Sequence, residues 1–559
     1  MSNREYLVSR DYMKTENNNS NLDWMIHWSL TGHHPRNTQI KLINKINLAI
    51  NEGYKNIILE AGTGIGKSAI ATTLANMYDD SYILTMTKQL QKQYLDDFGE
   101  MLVEIKGKGN YKCNYKGNCD FCIRAEYNIA RCSDCDYLIA FRKAKKSKNV
   151  ITNYDFMYRV GVDNQMLDPR QLLILDEAHN LERKMLMLSS HLLNREYIST
   201  KFGIDIFEAL MKGEKSYNHI KSESDYWIDV CKKLMKACGE NIEKIGGKGK
   251  EVQVTLDEFE SNPSKYSSID YIEKQILESD LKEFNSIRLG LESKDLIIDV
   301  PDFKSIKKNK MDISAEFKPY SVSDATQNLL SFGETRIFLT GTLGDMKKFC
   351  QWNNINPDNT YYIYEKSPFD VSNRPIYRDF VGNMSGSRRN VPNWKNKRAI
   401  SKIKQLIGKY PNQKGVIHTS SNEQAFWIMD NLKEYNLLFV GGKSRNEVLK
   451  EFNESKDDAI LIGASIKDGV DLKGDLCRFQ IVFKVPYPQL NEQVKYRKSL
   501  DPSWYYYQAI MAIMQAYGRG IRDKDDYCDM YIIDSNFKKL FDYNYNFFNE
   551  YFTEALKNK

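Results

Sequence analysis

The stretch that decides the fold is Glu60-Ala61-Gly62-Thr63-Gly64-Ile65-Gly66-Lys67-Ser68, which lies between an apolar run and an Ala-rich run. The apolar run, Asn56-Ile57-Ile58-Leu59, predicts a buried strand, and the Ala-rich run from Ser68 to Tyr78 predicts a helix. Glycines in such a turn let consecutive backbone N–H groups curve around a phosphate, and the helix N-terminus adds partial positive charge. Lys67 is placed to reach the β- and γ-phosphates, and Ser68 is placed to ligate Mg²⁺.

One position of this loop departs from the strict GxxxxGK[ST] pattern, because Ala61 stands where the first glycine is usual. Alanine has the next smallest side chain, so the phosphate-binding interpretation is kept. The alternative is a glycine-rich turn that binds nothing, and the Gly-Lys-Ser ending and both flanks argue against it. We therefore expect the nucleotide to contact Ala61, Gly62, Thr63, Gly64, Ile65, Gly66, Lys67 and Ser68.

Length and composition indicate a soluble protein of two or more domains. The chain has 559 residues, of which 42% are hydrophobic and 28% charged, values ordinary for globular proteins. No apolar stretch approaches the ~18 residues that a membrane span requires, and the first residues lack the apolar core of a secretion signal. We therefore expect no membrane association and an intracellular location, in the cytoplasm or the nucleoid or nucleus, and a virus-encoded origin is also compatible.

Strands alternate with helices in two series, which predicts two α/β domains with parallel sheets. Between Glu182 and about Phe332 the pattern becomes helical and highly charged, as expected of an inserted domain. The expected divisions are a flexible leader (1–30), a first domain in three parts (31–104, 150–185 and 331–350), a Cys-rich insertion (105–149), a helical insertion (186–330) and a second domain (351–559).

The acidic pair Asp176-Glu177 follows the apolar run Gln171–Leu175, at the strand end where open α/β sheets bind ligands. Asp176 is suited to hold Mg²⁺, and Glu177 to polarise a water molecule for attack on the γ-phosphate. Two solvated acids at a strand end are the alternative. His179 and the upstream phosphate loop favour a catalytic pair.

Near the C-terminus, Gln515-Ala516-Tyr517-Gly518-Arg519-Gly520-Ile521-Arg522 closes an apolar helical pattern. Arg519 and Arg522 are three residues apart, so we expect them on one helical face, as a fork for phosphate oxygens. Supplied from the second domain, they would stabilise charge that develops on the γ-phosphoryl group. A surface role at a helix end is the alternative for such a pair taken alone.

These motifs occur in an order that resembles one family, the XPD/DinG-type iron–sulfur branch of superfamily 2 DNA helicases. The matching segments are PRxxQ (35–39), AGTGIGKS (61–68), YILTMTKQLQ (82–91), DEAH (176–179), LTGTL (339–343), GVIHTSS (415–421), IGASIKDGVDLKG (462–474) and QAYGRGIR (515–522). The resemblance covers most of residues 33–540 and implies two RecA-like parallel-sheet domains, the first carrying a small metal-binding insertion and a mostly helical arch-like insertion.

The resemblance also implies roles for individual residues. Catalysis would fall to Lys67, Asp176, Glu177, Gln515, Arg519 and Arg522, and Thr340 and Thr342 would couple the ATP state to the grip on DNA. Nucleotide contacts would extend beyond the loop to Arg36 and Gln39. The Gln39 amide could hydrogen-bond both edges of an adenine, and a solvated side chain is the alternative. Asp468, Gly469 and Asp471 would contact nucleotide or DNA from the second domain. Thr340-Gly341-Thr342 stands where the family usually has Ser-Ala-Thr, and Asp468 where it commonly has Glu. Both exchanges keep a hydroxyl or a carboxylate, so we expect activity.

Five of the ten cysteines lie between Cys113 and Cys135, a clustering typical of a metal site in an intracellular protein. Cys119, Cys122, Cys132 and Cys135 form CxxC-x9-CxxC, a spacing that fits tetrahedral Zn²⁺ and also four thiolate ligands of a [4Fe–4S] cluster. The family resemblance favours the cluster, with Cys113 as its first ligand and Cys135 as its last. Four of the five cysteines would bind, and the spare one lies among Cys119, Cys122 and Cys132.

The same segment holds the chain's excess of positive charge. Residues 101–150 contain eleven Lys or Arg and five Asp or Glu, a net +6 that equals the charge of the whole chain. Rings at Tyr111, Tyr115, Phe121, Tyr127, Tyr137 and Phe141 interleave with the basic residues, a composition typical of single-strand grooves. The alternative is a solvated basic face over a small aromatic core.

Together these observations predict an ATP-dependent DNA helicase that translocates on single-stranded DNA and acts at duplex junctions as a monomer. The 5′→3′ polarity comes from the resemblance alone. Two alternatives remain: a DNA-stimulated translocase that remodels protein–DNA complexes without unwinding, and a metal-binding nucleic-acid module with a degenerate ATPase.

Overall fold

Two seven-stranded sheets, each with all its strands parallel, organise the two halves of the chain and confirm the predicted pair of RecA-like α/β domains. The computed structural model describes residues 23–32, 34–113, 117–118, 135–246, 269–308, 310–388, 390–441, 445–455, 458–464 and 472–557.

The first domain begins with two helices and then alternates strand and helix. Its main elements up to residue 176 are α1 (Asp23–Ser29), α2 (Asn37–Asn51), β1 (Asn56–Ala61), α3 (Lys67–Met77), β2 (Ser81–Thr85), α4 (Lys88–Phe98), β3 (Val103–Glu104), α5 (Asp136–Lys146), β4 (Asn149–Asn153) and β5 (Arg170–Asp176). The expectation of a flexible leader is wrong for its last residues, because α1 buries Trp28 in the core of this domain. Residues 1–22 lie outside the described part.

The predicted helical insertion contains helices and also a small antiparallel sheet. Its elements are α6 (Leu181–Leu188), β6 (His191–Asn194), α7 (Arg195–Phe202), α8 (Glu208–Met211), α9 (Tyr217–Ser222), α10 (Ser224–Gly246), α11 (Ile269–Glu292), β7 (Leu296–Asp299), α12 (Phe303–Lys307), β8 (Ser314–Pro319) and α13 (Ser323–Leu330). The three strands run in the order β6-β8-β7. They join helices α7 to α12 around a separate core that contains Phe207, Trp227 and Phe317 in edge-to-face contact. Helices α6 and α13 instead pack in a core of the first domain.

Three further elements complete the first domain: β9 (Gly333–Thr340), α14 (Met346–Trp352) and β10 (Thr360–Glu365). The strand order is β10-β1-β9-β5-β2-β4-β3. The expected end of this domain at residue 350 is wrong, because β10 hydrogen-bonds to β1 along its whole length. Since β1, β9 and β5 are neighbours and parallel, their carboxyl ends meet at one edge of the sheet.

The two faces of the first sheet are both apolar, as a parallel sheet covered on both sides requires. Alternate residues of β1 and β5 pack into opposite cores, with Ile58 and Leu173 on one side and Ile57 and Leu172 on the other. This burial fixes the register of the strands, and therefore fixes where the loops at their carboxyl ends lie.

The second domain repeats the α/β arrangement. Its elements are β11 (Ile376–Gly382), α15 (Lys397–Ile407), β12 (Gly415–His418), α16 (Asn422–Asn431), β13 (Leu437–Phe439), α17 (Arg445–Glu454), β14 (Ile460–Gly463), β15 (Phe479–Val482), α18 (Glu492–Leu500), α19 (Pro502–Tyr517), β16 (Asp529–Asp534), α20 (Asn536–Tyr543), α21 (Glu550–Thr553) and β17 (Leu556–Lys557). The strand order is β13-β14-β12-β15-β16-β11-β17. Within the described ranges, no helix combines the length and apolarity needed to cross a membrane.

Candidate active site

The phosphate loop joins β1 to α3 at the edge where β1, β9 and β5 end. Gly64 and Gly66 adopt φ angles of +88° and +84°, a region that side chains other than glycine rarely enter. A Cβ at Gly66 would lie 2.4 Å from the Gln39 side-chain nitrogen, so close approach also requires glycine there. The backbone geometry is therefore that of an anion-binding turn at a helix N-terminus.

Lys67, the first residue of α3, turns back across the loop. Its Nζ donates a hydrogen bond to the Ala61 carbonyl at 2.8 Å. Burial lowers the pKa of this amine, while the charges of Glu177 and Asp176 oppose that shift. An ammonium held in this position is suited to bind phosphate oxygens, because a desolvated cation gains strongly from a nearby anion.

Asp176 ends β5 with its carboxylate buried against a tyrosine. Tyr94 of α4 donates to Asp176 Oδ2 at 2.9 Å, and the Glu177 backbone N–H donates to Oδ1 at 2.9 Å. Burial and the neighbouring Glu177 raise the pKa of Asp176 to about 6, and Lys67 partly offsets this. The Tyr94 hydroxyl also hydrogen-bonds to Ser68. Ser68 and Asp176 thus share one partner and supply the hydroxyl and carboxylate oxygens that Mg²⁺ prefers, so this donor set fits the ion.

Glu177 has a left-handed backbone with φ +54°, which is uncommon for a residue with a side chain. Burial alone would raise the pKa of its carboxyl, but His179, Arg519, Lys67 and Arg522 together lower it. Glu177 is therefore held as a carboxylate, the form that accepts a proton or a hydrogen bond from water.

His179 connects Glu177 to the segment after β9. Its Nδ1 lies 3.4 Å from Glu177 Oε2 and 3.0 Å from the Thr340 hydroxyl. Thr340 in turn donates to the Thr342 carbonyl at 2.8 Å and accepts from the Thr342 N–H at 3.2 Å. Of the predicted coupling residues, Thr340 therefore reaches the acidic pair through His179, and Thr342 reaches it through Thr340.

The two arginines come from the second domain, but not from a helix. Helix α19 ends at Tyr517, so the prediction that Arg519 and Arg522 share a helical face is wrong. Glycines at both 518 and 520 weaken the helix at this point, since glycine has low helix propensity. Both arginines nevertheless lower the pKa of Glu177, which requires their charges to lie near it. Gln515 is in the last turn of α19 and is half-buried.

Arg36 and Gln39, at the start of α2, contact the phosphate loop itself. Arg36 donates to the carbonyls of Gly64 at 2.7 Å and Ile65 at 3.2 Å, and Gln39 Nε2 donates to the Ile65 carbonyl at 2.9 Å. Gln39 Oε1 accepts from the Arg36 backbone N–H at 2.9 Å. Both ends of the Gln39 amide are therefore engaged in supporting the loop.

Sequence reasoning missed three side chains of the site: Tyr94, Ser367 and Phe369. Ser367 donates to the Thr63 carbonyl at 2.9 Å, and the Phe369 ring lies where a Cβ on Gly64 would reach, 2.5 Å away. Phe369 packs in a core of the second domain. A signal for Tyr94 existed, since it is a hydroxyl-bearing residue at an apolar position of α4.

Several predicted residues lie outside the described part of the chain. These are Asp468, Gly469, Asp471, Cys119, Cys122 and Cys132, together with the side chain of Cys113. Cys135 is half-buried and precedes α5. Among the residues that the structure does describe, no three His, Cys, Asp or Glu side chains converge on a metal site, so the assignment of a cluster rests on sequence alone.

A phosphate loop and an acidic pair at the edge of one parallel sheet, with two arginines from a second domain, are typical of a nucleoside triphosphatase whose site is divided between two domains. The Helicase C-terminal domain family matches residues 416–552, and the family called Type III restriction enzyme, res subunit, matches residues 32–212. Together with the relatives that follow, these matches support an XPD/DinG-type superfamily 2 helicase, an enzyme that hydrolyses ATP.

Individual relatives agree with this family. The ATP-dependent DNA helicase YoaA of Haemophilus influenzae is 22% identical over 636 aligned positions, covering 95% of this chain and 96% of that protein. The ATP-dependent DNA helicase CHL1 of Vanderwaltozyma polyspora is 23% identical over 72% of this chain, which spans about half of that protein, 56%. A solved XPD helicase superimposes with a TM-score of 0.57 at 16% identity, covering 91% of this chain and 97% of that one, and shares its fold.

Proposed function

We propose that this protein is an ATP-dependent DNA helicase that moves 5′→3′ along single-stranded DNA as a monomer and unwinds duplex junctions. The observation that carries the proposal is the placement of Lys67, Asp176 and Glu177 at one edge of the first sheet. The charges of Arg519 and Arg522, from the second domain, act on Glu177 there. A site completed only when two domains approach is suited to convert hydrolysis into domain movement. The names of the relatives and the family match support DNA as the substrate.

Each residue of the divided site has a part in hydrolysis. Lys67 and the loop N–H groups bind the β- and γ-phosphates, and Glu177 orients the attacking water and accepts its proton. Arg519 and Arg522 stabilise the negative charge that develops as the γ-phosphoryl group is transferred. Ser68 and Asp176 would hold Mg²⁺, which neutralises phosphate charge when bound. Release of phosphate then lets the domains separate, and each cycle moves the strand.

We propose that the basic side chains of α5 contact the DNA. The aromatic side chains of α5 do not take the base-stacking role that the sequence predicts. Lys143, Lys145 and Lys146 are exposed. Tyr137 and Phe141, in contrast, are buried in the core of the first domain, where Tyr111 meets Tyr137 edge-to-face. These rings cannot stack on bases, so charge is the part of the groove that α5 supplies.

The metal of the Cys-rich insertion is also a proposal. We expect a [4Fe–4S] cluster on four of Cys113, Cys119, Cys122, Cys132 and Cys135, with Zn²⁺ as the alternative. Iron and acid-labile sulfide analysis of anaerobically purified protein decides between them, and stoichiometric zinc without sulfide would overturn the cluster. Single exchanges of each cysteine to serine identify the residue that does not bind.

Strand displacement on a forked duplex tests the main proposal. Wild type should unwind a substrate with a 5′ single-stranded arm and hydrolyse ATP, and Lys67→Ala should do neither. Hydrolysis without displacement would indicate a translocase that remodels protein–DNA complexes instead. Displacement by Lys67→Ala, or wild-type hydrolysis in that variant, would refute the mechanism.

A second experiment tests the DNA surface. Replacing Lys143, Lys145 and Lys146 with glutamine should weaken single-strand binding and reduce the slope of log affinity against log salt, because fewer counterions are released. An unchanged affinity and an unchanged slope would exclude α5 from the DNA path.

A further inference from the structure

One acidic side chain, Glu182, is buried at the boundary between the two domains and receives hydrogen bonds from three side chains of the second domain. Its Oε2 accepts from Trp504 Nε1 at 3.0 Å and from Gln508 Nε2 at 3.3 Å, and its Oε1 pairs with the Arg497 guanidinium. The Arg497 guanidinium also lies over the Trp504 ring, 4.0 Å from its centroid. We call these four residues the Glu182 cluster.

The Glu182 cluster joins the two helices that adjoin the catalytic groups in the sequence. Glu182 is the second residue of α6, five residues after Glu177. Trp504 and Gln508 belong to α19, the helix whose end leads directly to Arg519 and Arg522. A rotation of α19 against α6 would therefore move the arginines relative to Glu177 and disturb the cluster at the same time.

A second contact between the domains supports this arrangement. Tyr507 of α19 donates from its hydroxyl to the Leu343 carbonyl at 2.7 Å, in the segment that follows Thr340 and Thr342. Helix α19 is thus held both to the acidic-pair segment and to the Thr340 segment of the first domain.

The charges in the Glu182 cluster make it selective for one domain arrangement. The Glu182 and Arg497 side chains are each about 7% exposed. A buried ion pair adds little net stability, but a buried charge that loses its partner is strongly unfavourable. Domain positions that separate Arg497 from Glu182 without hydrating both are therefore disfavoured, whereas an apolar contact would tolerate small shifts.

We propose that Glu182 is a positioning residue for ATP hydrolysis: its pairing with Arg497, Trp504 and Gln508 fixes α19 so that Arg519 and Arg522 lie beside Glu177. The proposal rests on the proposed function, because it assigns the arginines their role in hydrolysis. Glu182 itself contacts neither the phosphate loop nor the acidic pair in any contact described above.

The test uses Glu182→Gln in the full chain, which keeps the shape of the side chain and removes its charge. DNA-stimulated kcat should fall about tenfold, while the dissociation constant for a fluorescent ATP analogue stays within about twofold, because the loop is untouched. In an Arg522→Ala background the same change should cause no further loss of kcat, since the group being positioned is already absent. If Glu182 only stabilised the fold, Glu182→Gln would lower kcat by the same factor in the wild-type and the Arg522→Ala backgrounds.

Lys221→Met is the matched control. It breaks a partly exposed ion pair with Glu492 of α18, the helix that also carries Arg497, at 2.9 Å. We expect kcat to stay at the wild-type value. Arg497→Lys is the second variant if Glu182→Gln does not fold: it keeps the charge, shortens the reach, and should lower kcat in the same direction.

Wild-type kcat in Glu182→Gln, or a full additional loss in the Arg522→Ala background, would overturn the inference. Failure of the proposed function is distinguishable, because Lys67→Ala and Arg522→Ala would then hydrolyse ATP normally whatever Glu182 does.

Discussion

Asp501 is the N-cap of α19 and holds the start of this helix in place. Its charge can be removed while its capping hydrogen bond is kept. One carboxylate oxygen accepts from the Ser503 N–H at 2.9 Å, and the other accepts from Lys348 Nζ at 3.0 Å and Trp352 Nε1 at 3.1 Å. Lys348 and Trp352 belong to α14 of the first domain, so Asp501 also joins the domains. Asparagine caps helices about as well as aspartate, so Asp501→Asn removes mainly the charge and the second acceptor.

The size of the effect follows from the pKa of Asp501. Burial alone would raise it, but the hydrogen bonds from Ser503, Lys348 and Trp352 lower it from 3.8 to about 2. That difference corresponds to ~2.5 kcal/mol of stability at neutral pH. Solvent screening of a side chain that is 26% exposed reduces this to about 1–2 kcal/mol. For a domain of this size, the melting temperature should fall by about 2–6 °C.

The sign of the pH dependence is fixed, because the folded pKa lies below the unfolded one. The stabilisation is complete above the unfolded pKa and is lost as pH falls towards the folded value. Thermal unfolding of wild type and Asp501→Asn should therefore differ by a constant amount from pH 8 to pH 5, and the difference should shrink below pH 4.

The control is Asp542→Asn, an exposed position on α20, whose melting temperature should not change. A change of less than 1 °C in Asp501→Asn at pH 7, or a difference between pH 8 and pH 5, would refute the assigned role of this carboxylate.

Three further changes test other parts of the structure. Tyr94→Phe removes the hydroxyl shared by Ser68 and Asp176. In a titration at saturating ATP, the Mg²⁺ concentration for half-maximal ATPase activity should therefore rise about tenfold. An unchanged Mg²⁺ requirement would refute this link. Gly64→Ala puts a Cβ into the Phe369 ring at a φ of +88° and should abolish binding of a fluorescent nucleotide. The control is Gly53→Ala, where the backbone is equally strained but the added Cβ meets no other atom, and this variant should bind the nucleotide normally. Trp28→Ala should destabilise the first domain by about 3–5 kcal/mol in denaturant unfolding, while Leu30→Ala, at an exposed position, should leave stability unchanged.

Much of the fold was predictable from sequence because parallel strands buried on both faces are continuous apolar runs. Ile57-Ile58-Leu59 and Leu172-Leu173-Ile174-Leu175 identify β1 and β5 in this way. The strands that were missed lack this signal. β10, with the sequence TYYIYE, lies at the sheet edge and is half exposed, and β6 has only four residues. Tertiary pairing, not local pattern, makes these segments strands.

The first-domain half of the site was predictable because strand ends and a glycine-rich turn place Lys67, Asp176 and Glu177. The second-domain half required the structure, since nothing local determines how closely Arg519 and Arg522 approach Glu177. The interpretation of Gln39 shows the same limit. An amide near the loop suggests base recognition, but only coordinates show that both of its ends bind the loop and Arg36.

The two positive-φ glycines of the loop also make room for side chains from neighbouring elements. At Gly66 the missing Cβ makes room for the Gln39 amide of α2, and at Gly64 it makes room for the Phe369 ring. Because Phe369 packs in a core of the second domain, the loop that binds phosphate touches both domains directly. A change in loop position on phosphate release therefore acts on the second domain through Phe369 as well as through the arginines. This contact predicts that Phe369→Ala, which keeps the loop glycines intact, weakens the coupling of ATP hydrolysis to strand displacement more than it weakens hydrolysis. Equal losses in both assays would contradict it.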